Sequence, residues 1–422
     1  MADENFITIA NAGDLILDVG QEEDDPRFSY RVDSKSLQSS SRYFENLLSD
    51  RFSEGQKLSA ALEALKIAGH PTLADAPIDA LPRITIINVG RVSASSIKNL
   101  VADFLRAVHG QDLSTATPPV ANLANLAIVA DRFDATESVS LYVRKKKFCA
   151  LLDAKSPKGK ISTGMTEERI RQKLLVGLLF DHAPWVTRYS KHLILRDSSQ
   201  WQPGVEEDHT KPLWWNLPNG VEDELIQRRE YILETINSLQ AHFLKLYTSG
   251  ERQCKLGYDT SIQCDSFQLG EMVRFFASKL GTLRLQGTIY DTTEPTYYTG
   301  DVERLLESLR QCSSYQVDRN HMHCGLRSRI LPLVDLLQNQ LCLETTSLDI
   351  GLCLDCWKNH RETYAWSAAK RPVMWAQPRS LTGNRMVSKG HLRTPSSCLT
   401  RHVVVRDLFM ATERDWTTRD TF

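Results

Sequence analysis

Gly13-Asp14-Leu15-Ile16-Leu17-Asp18-Val19, followed after an acidic tract by Phe28-Ser29-Tyr30-Arg31-Val32, is the stretch on which the fold turns. The first segment is apolar with a partial alternation and the second alternates cleanly, so both read as half-buried strands. The tract from Gln21 to Pro26 supplies a turn between them, and the pair is expected to form a hairpin. The period then changes. From Ser34 to Ser49 the apolar positions Leu37, Tyr43, Phe44, Leu47 and Leu48 suit short helices laid on that sheet.

Working outward, residues 56–82 carry Ala, Pro, Gly and scattered charge and read as an insertion before a further strand, Arg83-Ile84-Thr85-Ile86-Ile87-Asn88-Val89. Ser93 to His109 places Ile97, Leu100, Val101, Phe104, Leu105 and Val108 at helical spacing behind a serine-rich start that can cap it. After Pro118-Pro119, helices are expected over 120–133 and from Thr136 to about Leu151. Asp153 to Gly164 reads as a linker. A mainly helical region follows, beginning at Glu167–Phe180 and dominated by Leu225, Ile232, Ile236, Leu239, Phe243 and Leu246 on one helix ended by Ser249-Gly250. Helices are also expected at 266–280, 301–310 and 326–341, the last bent or started at Pro332. Beyond Trp366 the chain is rich in Arg, Ser and Thr with weak periodicity. The expected organisation is therefore α+β: an N-terminal sheet-and-helix domain over 1–151, a mainly α-helical domain over 165–366 and a weakly ordered tail over 367–422.

The strand, strand, helix-pair, insertion, strand, three-helix order resembles the BTB/POZ family. Residues 13–55 carry the likeness: an aspartate-led strand, a second strand, then Ser41-Arg42-Tyr43-Phe44-Glu45-Asn46-Leu47-Leu48, which is similar to the family's S-x-x-F-x-x-apolar-apolar element. Asn125-Leu126-Ala127-Ile128-Val129-Ala130-Asp131-Arg132-Phe133 resembles its A-D-K-Y helix, and Ala107-Val108-His109-Gly110 the end of the preceding helix in many filamentous-fungal members. Departures are the Asp33 that stands where many members have His, the long insertion, and the lack of a clear apolar-x-Glu element of the kind some members use to grip a cullin. The resemblance implies an interaction or adaptor protein that self-associates or binds protein partners, with substrate recruitment to a cullin-type ubiquitin ligase as one use. Further on, Cys254, Cys264-Asp265-Ser266 and His321-Met322-His323-Cys324-Gly325-Leu326 resemble a Cys/His series in the C-terminal halves of some fungal BTB proteins.

Composition narrows the function classes. With a formal net charge of -1 the chain has no overall attraction to nucleic acid or anionic lipid. An acidic N-terminus without a basic and apolar leader, and no run of about 20 apolar residues, lead us to expect a soluble protein of the cytoplasm or nucleus. In a reducing compartment the nine cysteines would then be free or metal-bound rather than paired. No Walker loop, dinucleotide fingerprint or Gly-x-Ser-x-Gly elbow is present, so no catalytic or cofactor-binding residue is expected. Arg144-Lys145-Lys146-Lys147 reads as the solvated end of a helix, and Glu222-Asp223-Glu224 as charge favourable to a helix start. Trp214-Trp215, between prolines, reads as a loop pinned to the core.

Cys254, Cys264, His321, His323, Cys324, Cys353 and Cys356 supply the soft and borderline donors that a structural zinc takes in fours. Two sets are open: Cys254, Cys264, one of the histidines and Cys324; or Cys324, Cys353, Cys356 and one histidine. Cys254, Cys342 and Cys353 equally suit small buried hydrophobes. A zinc-stabilised nuclear or transcriptional regulator is the second functional class that these residues suggest.

Overall fold

A computed structural model describes residues 5–67, 76–154, 164–206, 208–256, 261–279, 298–342, 350–376 and 398–416. The chain is mixed α+β and divides into one unit of residues 1–189 and 207–219 and another of residues 190–206 and 220–422. The expected linker over 153–164 falls largely outside the described residues.

The first unit opens with β1 (Phe6–Thr8), β2 (Leu15–Gly20) and β3 (Phe28–Val32), followed by α1 (Ser34–Ser40), α2 (Arg42–Leu47) and α3 (Ser53–Ile67). β4 (Arg83–Ile87), α4 (Ile97–Val108), α5 (Val120–Arg132), α6 (Thr136–Lys145), α7 (Phe148–Ala154), α8 (Glu167–Leu179) and α9 (Ala183–Arg196) complete it, α9 running on into the second unit. The sheet order is β1-β3-β2-β4. β2 and β3 form the expected antiparallel hairpin, with Leu17 opposite Tyr30, while β1 and β4 run parallel to their neighbours.

Asp14 ties this hairpin to the helices. Its carboxylate is buried and accepts from the backbone N–H of Ser34 at 2.7 Å and from the Ser34 hydroxyl at 2.6 Å, so the start of β2 holds the first residue of α1. Asp33 caps α1 by accepting from the Ser36 N–H. Ser41 plays a double part: it accepts from the Phe44 N–H to cap α2 and donates to the Phe133 carbonyl at the end of α5. Around that joint Phe44, Phe104 and Phe133 pack with ring centroids about 5.5 Å apart, in the range where aromatic pairs attract beyond their area.

The described part of residues 56–82, the stretch read as an insertion, contributes to the core. Its first part forms α3, and Leu65, with Ala76 and Leu81, packs on Ile16. This explains why the alternation in β2 is only partial: Leu15, Leu17 and Val19 are buried, but so is Ile16, because both faces of the strand are covered. Only Asp18 of that run keeps access to solvent, where it meets Arg83 at 3.2 Å. The expected single helix from 136 to 151 is two helices, broken where Lys147 takes a positive φ of 56° at the end of the basic run. Trp214 is buried, as its prolines suggested, and its carbonyl accepts from Arg171, a fully buried side chain on α8.

The second unit contains α10 (Val221–Thr248), α11 (Ile262–Lys279), α12 (Val302–Arg310), α13 (Leu326–Cys342), α14 (Leu354–Asn359), α15 (Arg361–Tyr364), β5 (Met374–Ala376), α16 (Cys398–Met410) and β6 (Glu413–Asp415). α10 buries Leu225, Ile232, Ile236, Leu239 and Phe243 as its spacing requires. α13 begins at Leu326 and carries Pro332 inside it. Among the described residues of the segment read as a weakly ordered tail, α16 buries Val405, Leu408, Phe409 and Met410, and β5 pairs with β6 in parallel.

Replacing Asp14 by Ala leaves two buried donors of Ser34 unsatisfied, a loss on the order of 2–4 kcal/mol for charge-assisted hydrogen bonds. Native-state hydrogen exchange on Asp14→Ala is expected to show that loss at the amides of β2 and α1.

Candidate metal centres

Two groups of soft donors come together in the second unit, each within a sphere where every donor atom lies within 4.8 Å of the others. The first is Cys254, Cys264, His321 and Cys324. The second is Cys353, Cys356, Cys398 and His402.

Each half of the first group is made locally. Cys264 sits in the opening turn of α11, where its N–H donates to the Ser261 hydroxyl. Gln253 donates its N–H to Asp265 at 3.2 Å, bringing the segment that carries Cys254 alongside the same helix start. His321 ends a 3-10 turn capped by Asp318, and the Cys324 N–H donates to the His321 carbonyl at 3.0 Å, so both side chains project from one tight turn. Gln268 on α11 then accepts from the Leu326 N–H and joins the two halves.

The distances define a single point of convergence. Cys254 Sγ is 3.9 Å from Cys324 Sγ and 3.4 Å from His321 Nδ1, and Cys324 Sγ is 3.7 Å from that same nitrogen. The Lys255 N–H also donates to Cys324 Sγ at 3.2 Å. The other imidazole nitrogen, Nε2, faces the Asp318 carboxylate at 3.7 Å. All four donors are buried.

The second group is built from a different pair of local turns. Cys353 stands at the N-terminal boundary of α14 and Cys356 inside it, while Cys398 and His402 lie four residues apart on one face of α16. Cys398 Sγ is 3.8 Å from Cys353 Sγ, 4.0 Å from Cys356 Sγ and 3.1 Å from His402 Nε2. Cys353 and Cys398 are half-buried, Cys356 and His402 buried.

What brings these halves together is a set of polar anchors on α10. Glu224, fully buried, pairs with Arg228 at 2.8 Å and accepts from the N–H groups of Trp366 and Ser367. Arg228 donates to the carbonyls of Ile350 and Gly351 and lies over the rings of Tyr364 and Trp366. One ion pair therefore clamps both ends of the 350–367 segment that carries Cys353 and Cys356. Further along α10, the Thr235 hydroxyl donates to the Phe409 carbonyl of α16, and Arg406 of α16 donates to the Thr363 carbonyl.

The electrostatics of the two groups are alike. Burial opposes ionisation of Cys254, but hydrogen bonds from the Ser261 and Leu256 backbone and from neighbouring thiols hold it below the usual thiol value. Burial and the nearby Cys324 push Cys264 up. In the second group burial again opposes ionisation of Cys353, yet hydrogen bonds from His402, the Cys356 backbone and Cys398 bring it down to about 6. Burial and the Cys353 charge push Cys356 and Cys398 up. Each group thus accepts one negative charge readily and resists the next, a resistance that a dication at the centre would reverse.

Of the residues expected to ligate, Cys254, Cys264, His321 and Cys324 are brought together as the first of the two sets. The second set is not assembled, because Cys324 belongs to the α11–α13 turn whereas Cys353 and Cys356 face α16. His323 is exposed and stands outside both groups. Cys398 and His402 were missed, although Cys-x-x-x-His at helical spacing is itself a ligand pair; the weak periodicity of their surroundings hid it. The acidic run Glu222-Asp223-Glu224 does stand in the first turn of α10, and Glu224 is in addition a buried anchor.

Removing Arg228 should strand the Glu224 carboxylate in the interior, at a cost of about 3–5 kcal/mol. Arg228→Ala is therefore expected to lower the unfolding midpoint of the chain in urea strongly, and Arg228→Lys to recover only part of it, since an ammonium cannot reach both carbonyls and the carboxylate as a guanidinium does. No protein-family model, no curated protein and no solved structure matches the chain, so the reading of both donor groups stands on their geometry.

Proposed function

We propose that this chain is a protein-interaction adaptor: a BTB/POZ-type first unit docks partners or a second copy, and the helical unit, stabilised by a structural zinc at Cys254, Cys264, His321 and Cys324, presents a further binding surface. The observation that carries the docking part is the element order of the first unit. A β2–β3 hairpin leads into the helical pair α1–α2, β4 adds in parallel beside β2, and α4 to α6 follow, the order on which the resemblance to that family rests. The Asp14–Ser34 tie and the Ser41–Phe133 tie give that order a rigid frame. Among the described residues no helix is long and apolar enough to cross a membrane.

The zinc part is supported by donor chemistry. Three thiolates and an imidazole are a tetrahedral zinc set, and buried thiols at 3.9 Å are too far apart to be a disulfide. A second reading, a zinc-stabilised nuclear or transcriptional regulator, draws on the same donor groups. It requires salt-dependent nucleic-acid binding, for which a net charge of -1 offers no overall attraction.

For the docking part, light scattering on the full chain should give a mass above one copy, or affinity purification from cells should recover a defined protein partner such as a cullin. Charge reversal at the exposed Glu45 of α2 is expected to weaken the association at least about tenfold, as for a central interface residue. A monomer that recovers no partner would count against the adaptor. For the zinc part, elemental analysis of Cys264→Ser should find one zinc fewer than in the unaltered chain; an unchanged metal content would remove this centre.

A further inference from the structure

We infer that Cys353, Cys356, Cys398 and His402 form a second zinc centre, one that clasps α16 to the α14 turn and releases its metal before the first centre does. This inference is independent of the adaptor reading and concerns a different set of ligands from the zinc proposed above.

Geometry is the first support. A tetrahedral zinc with Zn–S near 2.3 Å and Zn–N near 2.0–2.1 Å places neighbouring sulfurs about 3.8 Å apart and sulfur and nitrogen about 3.5 Å apart. The sulfur pairs here stand at 3.8 and 4.0 Å and the sulfur–nitrogen pair at 3.1 Å. Sulfurs in van der Waals contact are not bonded to one another, and all three cysteines are free. Four donors from two separate turns meet at one point, which side chains packed only as small hydrophobes have no reason to do.

Donor type is the second. A set of three thiolates and one imidazole suits zinc, whereas a calcium or magnesium site takes oxygens. Binding would displace the thiol protons that remain, leaving Zn2+ with three thiolates and a neutral imidazole at a net charge of about -1 in the centre. The nearby Arg401 favours the Cys398 thiolate.

The role follows from where the ligands sit. The C-terminal half of α16 is anchored by Val405, Leu408, Phe409 and Met410 and by the bonds from Thr235 and Arg406. Its first turn meets α14 through Cys398 and His402. A metal there would fix the beginning of a helix whose end is already fixed. The order of release follows from exposure: two of the four donors, Cys353 and Cys398, are half-buried, whereas all four of the first centre are buried. Chelator and proton therefore have an open approach to the second centre.

The test uses the full chain purified with zinc present. Native mass spectrometry and elemental analysis should count two zinc ions per chain, with His402→Ala and Cys398→Ser each losing one and His402→Cys retaining both. A chromophoric chelator should withdraw the two ions in two phases, and His402→Ala should lack the fast phase. Because a ligand variant can unfold locally, a second measurement is made on the unaltered chain. Cys353, Cys356 and Cys398 should resist iodoacetamide with metal present and react at least tenfold faster once the fast phase has been withdrawn, while Cys149 and Cys312, buried elsewhere, keep their rates. Equal alkylation with and without chelator, unchanged zinc content in His402→Ala, or an intact mass two hydrogens lower with Cys353 and Cys356 oxidised to a disulfide and no metal bound, would each overturn the proposal. Loss of the slow phase alone in Cys264→Ser separates the failure of the first centre from that of the second.

Discussion

The buried pair of Glu224 and Arg228 is the constraint on which the second unit depends. Burying two charges is costly, and their mutual attraction alone seldom offsets the loss of hydration. Here the remaining hydrogen-bonding capacity is used as well. Glu224 accepts from Trp366 and Ser367, Arg228 donates to the Ile350 and Gly351 carbonyls, and the rings of Tyr364 and Trp366 lie against the guanidinium. The result is a fixed geometry for a segment that could not hold one alone. α14 and α15 are six and four residues long, far below the length at which an isolated helix is stable in water. Their shape is imposed from α10, and with it the direction in which Cys353 and Cys356 face.

The first unit solves the same problem with neutral partners and one carboxylate. Asp14, Ser41 and Asn125 each satisfy backbone groups at the joints between elements: Asn125 both accepts from the Ser93 N–H and donates to its carbonyl. These joints are short-range in space but span up to 92 residues in sequence. A buried backbone group left unpaired costs as much as a lost hydrogen bond, so each joint admits few alternatives to the observed chain path.

These arrangements also mark what was legible in the sequence. β4, α4 and α10 were readable because each buries one face, and a single buried face leaves a period in the sequence. Ile16 and α3 misled for the opposite reason: a strand covered on both sides loses its alternation, and an alanine-rich helix against it shows little contrast between faces. α16 was invisible for a related cause, since His402 and Arg406 are buried among its apolar residues and no stripe remains. α9, with Pro184 and several charges among its aromatics, was also not read. The burial of Glu224 left no local trace because Trp366 and Ser367, whose N–H groups donate to it, lie more than a hundred positions away.

The donor groups sharpen that distinction between what is local and what is not. Each of them is assembled from two halves, and every half is a short element: the opening turn of α11 with the Cys254 segment, the His321–Cys324 turn, the start of α14, and the first turn of α16. The halves are encoded locally, by spacings of three or four residues or by a capped helix start, and for that reason three of the four were recognisable as ligand-bearing. Which half meets which is decided elsewhere, by Gln268 reaching Leu326 and by α10 clamping the 350–367 segment beside α16. Nothing in the spacing between Cys324 and Cys353 could have said that these two face different partners. The match of the halves is a property of the helical packing, so a change in α10 should disturb the second donor group without touching any of its ligands, and leave the first, which α11 and the turn before α13 assemble between themselves, in place.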